Sequence, residues 1–374
     1  MAMSLKKMLA EVVNAKASDL HLRVGLRPTL RIDGVLKPID PDPLTSEDVS
    51  KIMQQMLNEQ QLERYHQQSE LDIALSVSKL GRFRINFYRQ RGTSGIAIRA
   101  VNTVIPSFEE LNLPPVLKNL ADSRRGLIIV TGTTGSGKST TLAAMINYIN
   151  NVRTDNVLTI EDPIEYVYRD KKSIISQREI GGDTESFATA LRHAFRQDPD
   201  VILIGEIRDK ETMSIALTAA DTGHLVLTTL HTLNAVETIS RIISFFPPHQ
   251  HLQIRLLLAS TLKSIVCQRL LPRVDGPGRV PAVEILVSTG AVREYLVDPM
   301  KNSLIPELIE SGNIQYGMQT FDQSIMQLYR NGIISYKEAL AQTTNPDDFD
   351  LRVRGIVSTS DKGWTEFEGK DSKK

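Results

Sequence analysis

The chain has 374 residues, 41% of them hydrophobic and 24% charged, and its 44 basic and 44 acidic side chains leave a formal net charge of zero. That length allows two or three domains with true apolar cores, and the neutral balance argues against a protein whose main task is to coat nucleic acid, leaving room only for a local basic patch. The single cysteine, Cys267, excludes an internal disulfide framework and any multi-cysteine zinc site, and suits a reducing cytosol.

The N-terminal stretch MAMSLKKMLAEVVNAKASD is interrupted by Glu11, Asn14 and Lys16, which predicts a short amphipathic helix and not a signal peptide. No apolar run approaches the ~20 residues needed to cross a bilayer, so the reading is of a soluble chain that meets any membrane from outside. DLHLRVG and TLRIDGVLKPI alternate as strands, with Asp33-Gly34 as a hairpin turn. Thr45, with Asp48 three residues on, caps a helix that runs through SEDVSKIMQQMLNEQQLERYHQQ. LDIALSVS and GRFRINFYRQRGTSGIAIRAV return to strands, the last pair joined through RGTSG. Together these predict an α+β domain over residues 1–101. Pro106, Pro114 and Pro115 then punctuate a linker over 102–118 that holds one short helix and is a natural hinge.

From Gly126 the pattern changes. GLIIVTG, NVLTIED, DVILIGE and HLVLTTLH are short apolar runs, each followed by a helical segment, as in a parallel sheet covered on both faces. After Phe246-Pro247-Pro248 a helical pattern runs through Gln268, followed by the strand RVPAVEILVS and a mostly helical end. This makes an α/β domain over 119–345. Residues 346–374, polar and with the lone Trp364, read as a flexible tail.

VTGTTGSGKSTT satisfies G-x-x-x-x-G-K-[ST] through Gly132, Gly137, Lys138 and Ser139. An apolar strand delivers the chain to the loop, and Gly132, Gly135 and Gly137 allow backbone angles that turn successive N–H groups inward. The helix beginning at Lys138 aims the positive end of its dipole at an anion. The residues read as a nucleotide cradle are Gly132, Thr133, Thr134, Gly135, Ser136, Gly137, Lys138, Ser139 and Thr140. Lys138 reaches for the β- and γ-phosphates of ATP, and Ser139 for Mg²⁺.

Hydrolysis also needs a carboxylate that positions water, and a parallel sheet gathers its ligands at the carboxyl ends of strands. DVILIGE ends in Glu206, a Walker B shape with Gly205 in place of the usual Asp, and NVLTIEDPIE supplies Glu161, Asp162 and Glu165. His224 and His231 stand one at each end of HLVLTTLH; a strand histidine is either a packed polar residue or a group able to sense a γ-phosphate. KLGRFRINFYRQRGTSGIAIR carries six basic residues and no acid. Alternation puts Phe83, Ile85 and Phe87 on one face and Arg82 and Arg84 on the other, with Ile96 and Ile98 inward and Arg99 opposite. Arg84 and Arg99 then emerge on one side of a hairpin. That side is a solvated face, a nucleic-acid surface with Phe87 and Tyr88 for stacking, or a set of arginine fingers for a transferring phosphate.

Four blocks in order, GTTGSGKST, TIEDPIEY, LRHAFRQDPDVILIGEIRD and TGHLVLTTLHT, resemble those of the secretion ATPases of type II, type IV and type IV pilus systems, over about residues 1–345. Within that family the chain is similar to the pilus retraction members. It starts almost directly with the N-terminal domain, and it lacks the tetracysteine zinc motif of assembly and secretion members. AVREYL stands at their retraction signature, matching it at Ala291 and Arg293.

The resemblance implies a RecA-like ATPase domain preceded by a PAS-like α+β domain, and a homohexamer that binds ATP and Mg²⁺ and drives pilus retraction. It implies Glu206 and an aspartate-box glutamate, best matched by Glu165, as water-activating and Mg²⁺-linked acids. It further implies His231 and His224 as nucleotide-responsive histidines, and Arg84 and Arg99 as arginine fingers. The implied partner is an inner-membrane pilus platform protein, with the pilin filament engaged indirectly, and neither zinc nor nucleic acid. The implied place is the cytoplasmic side of a bacterial inner membrane. The alternatives are an extension or secretion ATPase, a nucleic-acid-stimulated motor, and a scaffold that holds ATP without cleaving it.

Overall fold

The computed structural model describes residues 4–32 and 34–356, so Asp33, expected in a hairpin turn, and Trp364 lie outside the described residues. The chain divides into two units. One holds the residues up to Val104 together with Glu165–Val167; the other holds Ile105–Ile164 and the residues from Tyr168 onward.

The N-terminal unit is an antiparallel six-stranded sheet with helices α1 (Leu5–Asn14), α2 (Ser46–Met56) and α3 (Glu59–Gln68). Its strands are β1 (Asp19–Arg23), β2 (Thr29–Ile32), β3 (Val35–Pro38), β4 (Glu70–Val77), β5 (Gly81–Gln90) and β6 (Thr93–Ala100), in the order β3-β2-β1-β6-β5-β4. Period-two alternation does what it predicts: Phe83, Ile85, Phe87, Ile96 and Ile98 are buried, and they pack with Met8 and Leu9 of α1 and Val49 and Met53 of α2. Burial of Phe87 removes it as a stacking platform for bases. The single helix expected after Thr45 is in fact two. Asn58 breaks it, accepting from Gln61 N at 2.8 Å while Gln61 Oε1 accepts from Asn58 N at 3.1 Å, a reciprocal cap that starts α3 afresh.

The second unit is built on a seven-stranded sheet ordered β13-β12-β7-β11-β10-β8-β9. Its strands are β7 (Gly126–Thr131), β8 (Asn156–Glu161), β9 (Ile174–Glu179), β10 (Val201–Ile204), β11 (Leu225–Leu230), β12 (Leu262–Pro272) and β13 (Arg279–Val287). All neighbours are parallel except β12 and β13. On one face pack α4 (Val116–Ala121) and α5 (Lys138–Val152), through Leu117, Leu142 and Ile146 against Ile128 and Leu203. The other face takes α6 (Phe187–Ala194), α7 (Lys210–Asp221), α8 (Ala235–Ser244) and α9 (His251–Thr261), through Leu191, Leu217, Ile239 and Leu258 against Ile129 and Ile202.

The helix expected to run through Gln268 ends at Thr261. There the hydroxyls of Ser260 and Thr261 bond back to Leu257 O, and the chain becomes β12 alongside β7. After β13 come α10 (Gly290–Val297), α11 (Ile305–Ser311), α12 (Asn313–Tyr316), α13 (Phe321–Arg330) and α14 (Tyr336–Gln342). Where a tail was expected from 346, Pro346–Val353 forms one further helix, α15, capped by Asn345 and buried through Phe349.

Candidate nucleotide-binding and hydrolysis site

Residues 132–137 turn sharply between β7 and α5, and the turn needs its glycines. Gly132 has φ +141°, and a Cβ there would stand 2.3 Å from Gln268 O; Gly137 has φ +91° and faces Gln268 Nε2. Gln268 is therefore the back wall of the cradle. It is buried, and its Oε1 accepts from Thr141 Oγ1 at 3.0 Å, fixing the first turn of α5. This residue was not legible as functional, because it sits on the strand read as helix.

Lys138 is buried and folds back onto the loop, donating to Gly132 O at 2.9 Å and Thr133 O at 3.0 Å. Burial pushes its ammonium below the ordinary lysine range, with the Glu206 carboxylate opposing. The Ser136 hydroxyl is buried without a hydrogen-bond partner. Thr133, Thr134, Gly135 and Ser139 are exposed, and Thr140 is half-buried. An orphaned hydroxyl and a desolvated cation in one loop fit a phosphate chain. The exposed Ser139 hydroxyl at the start of α5 fits Mg²⁺, which takes few protein ligands beside phosphates and water. Among the described residues no cluster of three or more His, Cys, Asp and Glu forms a separate metal centre.

Strand order sets the rest. β7, β11, β10 and β8 are successive neighbours and all parallel, so the residues just past their carboxyl ends emerge together on one edge. Leu230 pairs with Thr131, which brings His231 abreast of Gly132. His231 Nε2 lies 3.2 Å from Glu206 Oε2, and Arg208 pairs with the other carboxylate oxygen. Thr229 Oγ1 donates to Gly205 O at 2.7 Å, tying the Glu206 strand end to that of His231. Gly205 sits close to its neighbour strand: a Cβ there would stand 3.3 Å from Glu161 Cα, a tight contact that a glycine avoids. Glu161 completes the row. It is buried and accepts from Thr159 Oγ1 at 2.7 Å and Gln177 Nε2 at 3.3 Å.

Of the other expected site residues, His224 lies elsewhere on this sheet, and Glu165, Arg84 and Arg99 belong to the N-terminal unit. His224 precedes β11, so it stands on the opposite edge of the sheet, roughly 20 Å from the cradle at about 3.3 Å per strand residue. There its Nδ1 is 2.9 Å from Ala219 O, and its ring packs edge-on to Phe195. Glu165 belongs to the N-terminal unit, where its exposed carboxylate is 3.2 Å from Arg84 Nη1. Arg84 and Arg99 are register partners on β5 and β6, on the side away from the core as the alternation requires. Arg99 Nε donates to Asp19 Oδ1 at 2.8 Å. Burial raises the Asp19 pKa, but bonds from Ser18 and Arg99 outweigh it and hold the carboxyl below its ordinary value.

Comparison with known proteins agrees with this architecture. The profile of the type II/IV secretion system protein family matches residues 1–302. The type IV pilus ATPase PilU of Pseudomonas aeruginosa is 42% identical over 96% of this chain and 93% of its own. The type IV pilus retractation ATPase PilT of the same organism is 40% identical over 93% of this chain and 100% of its own. A crystal structure of the pilus retraction motor PilT with bound ADP superposes with a TM-score of 0.85 at 43% identity, covering 92% of this chain and 98% of that one. The fold class is thus an α/β RecA-like ATPase domain preceded by an α+β domain. The chain belongs to the type II/IV secretion system protein family.

Proposed function

We propose that this protein is an ATPase motor that drives type IV pilus retraction. The observation that carries the proposal is the row on one sheet edge: the cradle of Lys138, then His231, Glu206 and Glu161 on successive parallel strands. Relatives named as a type IV pilus ATPase and a type IV pilus retractation ATPase, matched along nearly their full length, support its use in pilus work.

ATP supplies the bond to be cleaved, and Mg²⁺ at Ser139 supplies charge neutralisation. When a triphosphate enters, Lys138 exchanges its bonds to Gly132 O and Thr133 O for phosphate oxygens, and the Ser136 hydroxyl gains an acceptor. Glu206, with His231 beside it, orients and deprotonates the attacking water. Glu161, on the strand beyond, would add negative charge that favours a bound Mg²⁺. Of the two aspartate-box glutamates, Glu161 ends a strand beside that of Glu206, and Glu165 belongs to the N-terminal unit. Arg84 and Arg99 are cations lent to a neighbouring subunit's phosphate in a homohexamer, and closing that shared site moves the subunits. Domain rotation of this kind requires nucleotide states that differ in interface contacts. The motor works at the cytoplasmic face of the inner membrane on a platform protein, and through it on the pilin filament.

The test has two arms. Glu206→Gln lowers steady-state phosphate release by about 10²–10⁴, the range for loss of a general base, with ATP binding retained; undiminished release overturns the hydrolytic assignment. Expression in a non-retracting strain restores pilus shortening. Restored pilus assembly in its place assigns the protein to extension.

A further inference from the structure

The turn that carries His231 is stiffened by its own bonds. Asn234 Oδ1 accepts from Glu237 N at 2.8 Å, Glu237 Oε2 accepts from Leu233 N at 2.9 Å, and the Thr232 and Thr238 hydroxyls are 2.7 Å apart. These bonds make residues 232–238 one rigid piece, but they do not say where the piece sits on the sheet. A bond from outside does: Ala235 N, at the first position of α8, donates to Glu284 Oε1 at 2.8 Å.

Glu284 is placed for this by register. On β13 it pairs with Cys267 of β12, and Cys267 pairs with Thr131 of β7. Cross-strand partners share a face, so Glu284, Cys267 and Thr131 form a row that ends one residue before Gly132. The carboxyl therefore stands level with the phosphate loop, under the helix that begins four residues after His231.

Its surroundings ask for an acceptor more than a charge. Burial pushes the Glu284 carboxyl above the ordinary range, against the bond from Ala235 N and the contact with the Cys267 thiol. The thiol is fully buried, and burial raises its pKa well above normal, so it stays protonated. Arg269 and Asp322 are the charged groups that act on Glu284, with opposite sign. Arg269 is engaged with Gln342 O and the Phe321 ring.

We propose that Glu284 is a positioning residue for ATP hydrolysis, holding helix α8 by its carboxyl oxygen so that His231 stays against Glu206. The inference rests on the reading that His231 and Glu206 act at the γ-phosphate. Glu284 acts through the turn, by the bond it accepts from Ala235 N.

The test measures kcat and KM for ATP on the full-length assembled protein with wild type, Glu284→Gln, Glu284→Ala, His231→Ala and the Glu284→Ala/His231→Ala double variant. Glu284→Gln keeps an acceptor oxygen in place and holds wild-type kcat. Glu284→Ala lowers kcat about tenfold with KM within about twofold, and the double variant is no slower than His231→Ala, the non-additivity of residues acting in series. If Glu284→Ala does not fold, Glu284→Asp, which withdraws the oxygen by one methylene, takes its place with the same expectations. Wild-type kcat in Glu284→Ala, an equal loss in Glu284→Gln, or additive losses in the double variant overturns the inference alone. A silent His231→Ala overturns the reading of the site itself, and the inference falls with it.

Discussion

Arg84 Nη1 lies 3.2 Å from Glu165 Oε1, so the arginine assigned to a neighbour's phosphate rests on a carboxylate of its own N-terminal unit. Both side chains are substantially exposed, 36% and 50%, and pairs of that kind contribute about 0.2–1 kcal/mol. The pair is weak enough to open for a triphosphate. Glu165→Gln therefore leaves turnover within about threefold, while Arg84→Ala lowers it by about 10³, the lower end of the range for arginine fingers. Phosphate release at saturating ATP measures both. A loss in Glu165→Gln as deep as that in Glu206→Gln would make Glu165 the water-activating acid after all.

Lys138 gives a pH signature. Its folded pKa is lowered from 10.5 because burial disfavours the ammonium. The cost of holding it charged is present below the folded value and disappears as pH rises toward 10.5, so this group's contribution to stability increases across that window. Bound phosphate reverses the shift by favouring the ammonium. ATP binding takes up protons, and more of them as pH approaches the window from below. Calorimetry in two buffers of different ionisation enthalpy reads the proton number directly; release of protons, or none at any alkaline pH, would contradict the desolvated-lysine cradle.

Gly132→Ala tests the back wall. The added Cβ meets a backbone oxygen, Gln268 O, at 2.3 Å and sits at φ +141°. Neither can relax without moving β12 or the loop, and strained backbone of this kind costs about 1–3 kcal/mol. The variant folds with a lowered melting temperature and shows no further rise on adding Mg·ATP, whereas wild type does. A normal nucleotide-induced rise in Gly132→Ala would show that the loop does not depend on this close approach.

The parts of the site that were legible are those where local pattern and tertiary role coincide. The cradle is one contiguous loop, and β7, β10 and β11 are apolar runs that end in the residues they present. The arginine side of β5 and β6 follows from alternation alone, since Phe83, Ile85 and Phe87 fill the core. Parallel order explains Glu206 and His231, and the same logic places His224 at the opposite edge, because it precedes its strand. What misled was continuity. Apolar residues on both sides of Thr261 read as one buried helix, since a strand covered on both faces has no period of its own, and with β12 went Gln268 and Cys267. β9 has an exposed Ile174 and a mixed pattern, so it shows no apolar run, yet it carries Gln177 to Glu161. Glu165 lies four residues from Glu161 in the chain, but the strand stops at Glu161 and the segment Glu165–Val167 joins the other unit.

A nucleotide seated on one chain and completed by cations of another is the claim on which the motor rests. The most direct measurement is phosphate release from co-assembled Arg84→Ala and Lys138→Ala chains, prepared with different tags at a series of ratios. Each variant alone lacks one half of every site, and in the mixture some junctions unite an intact cradle with an intact arginine. Shared sites predict activity well above the weighted mean of the two separate variants, greatest near equal proportions. Activity at or below that mean at every ratio would contradict them.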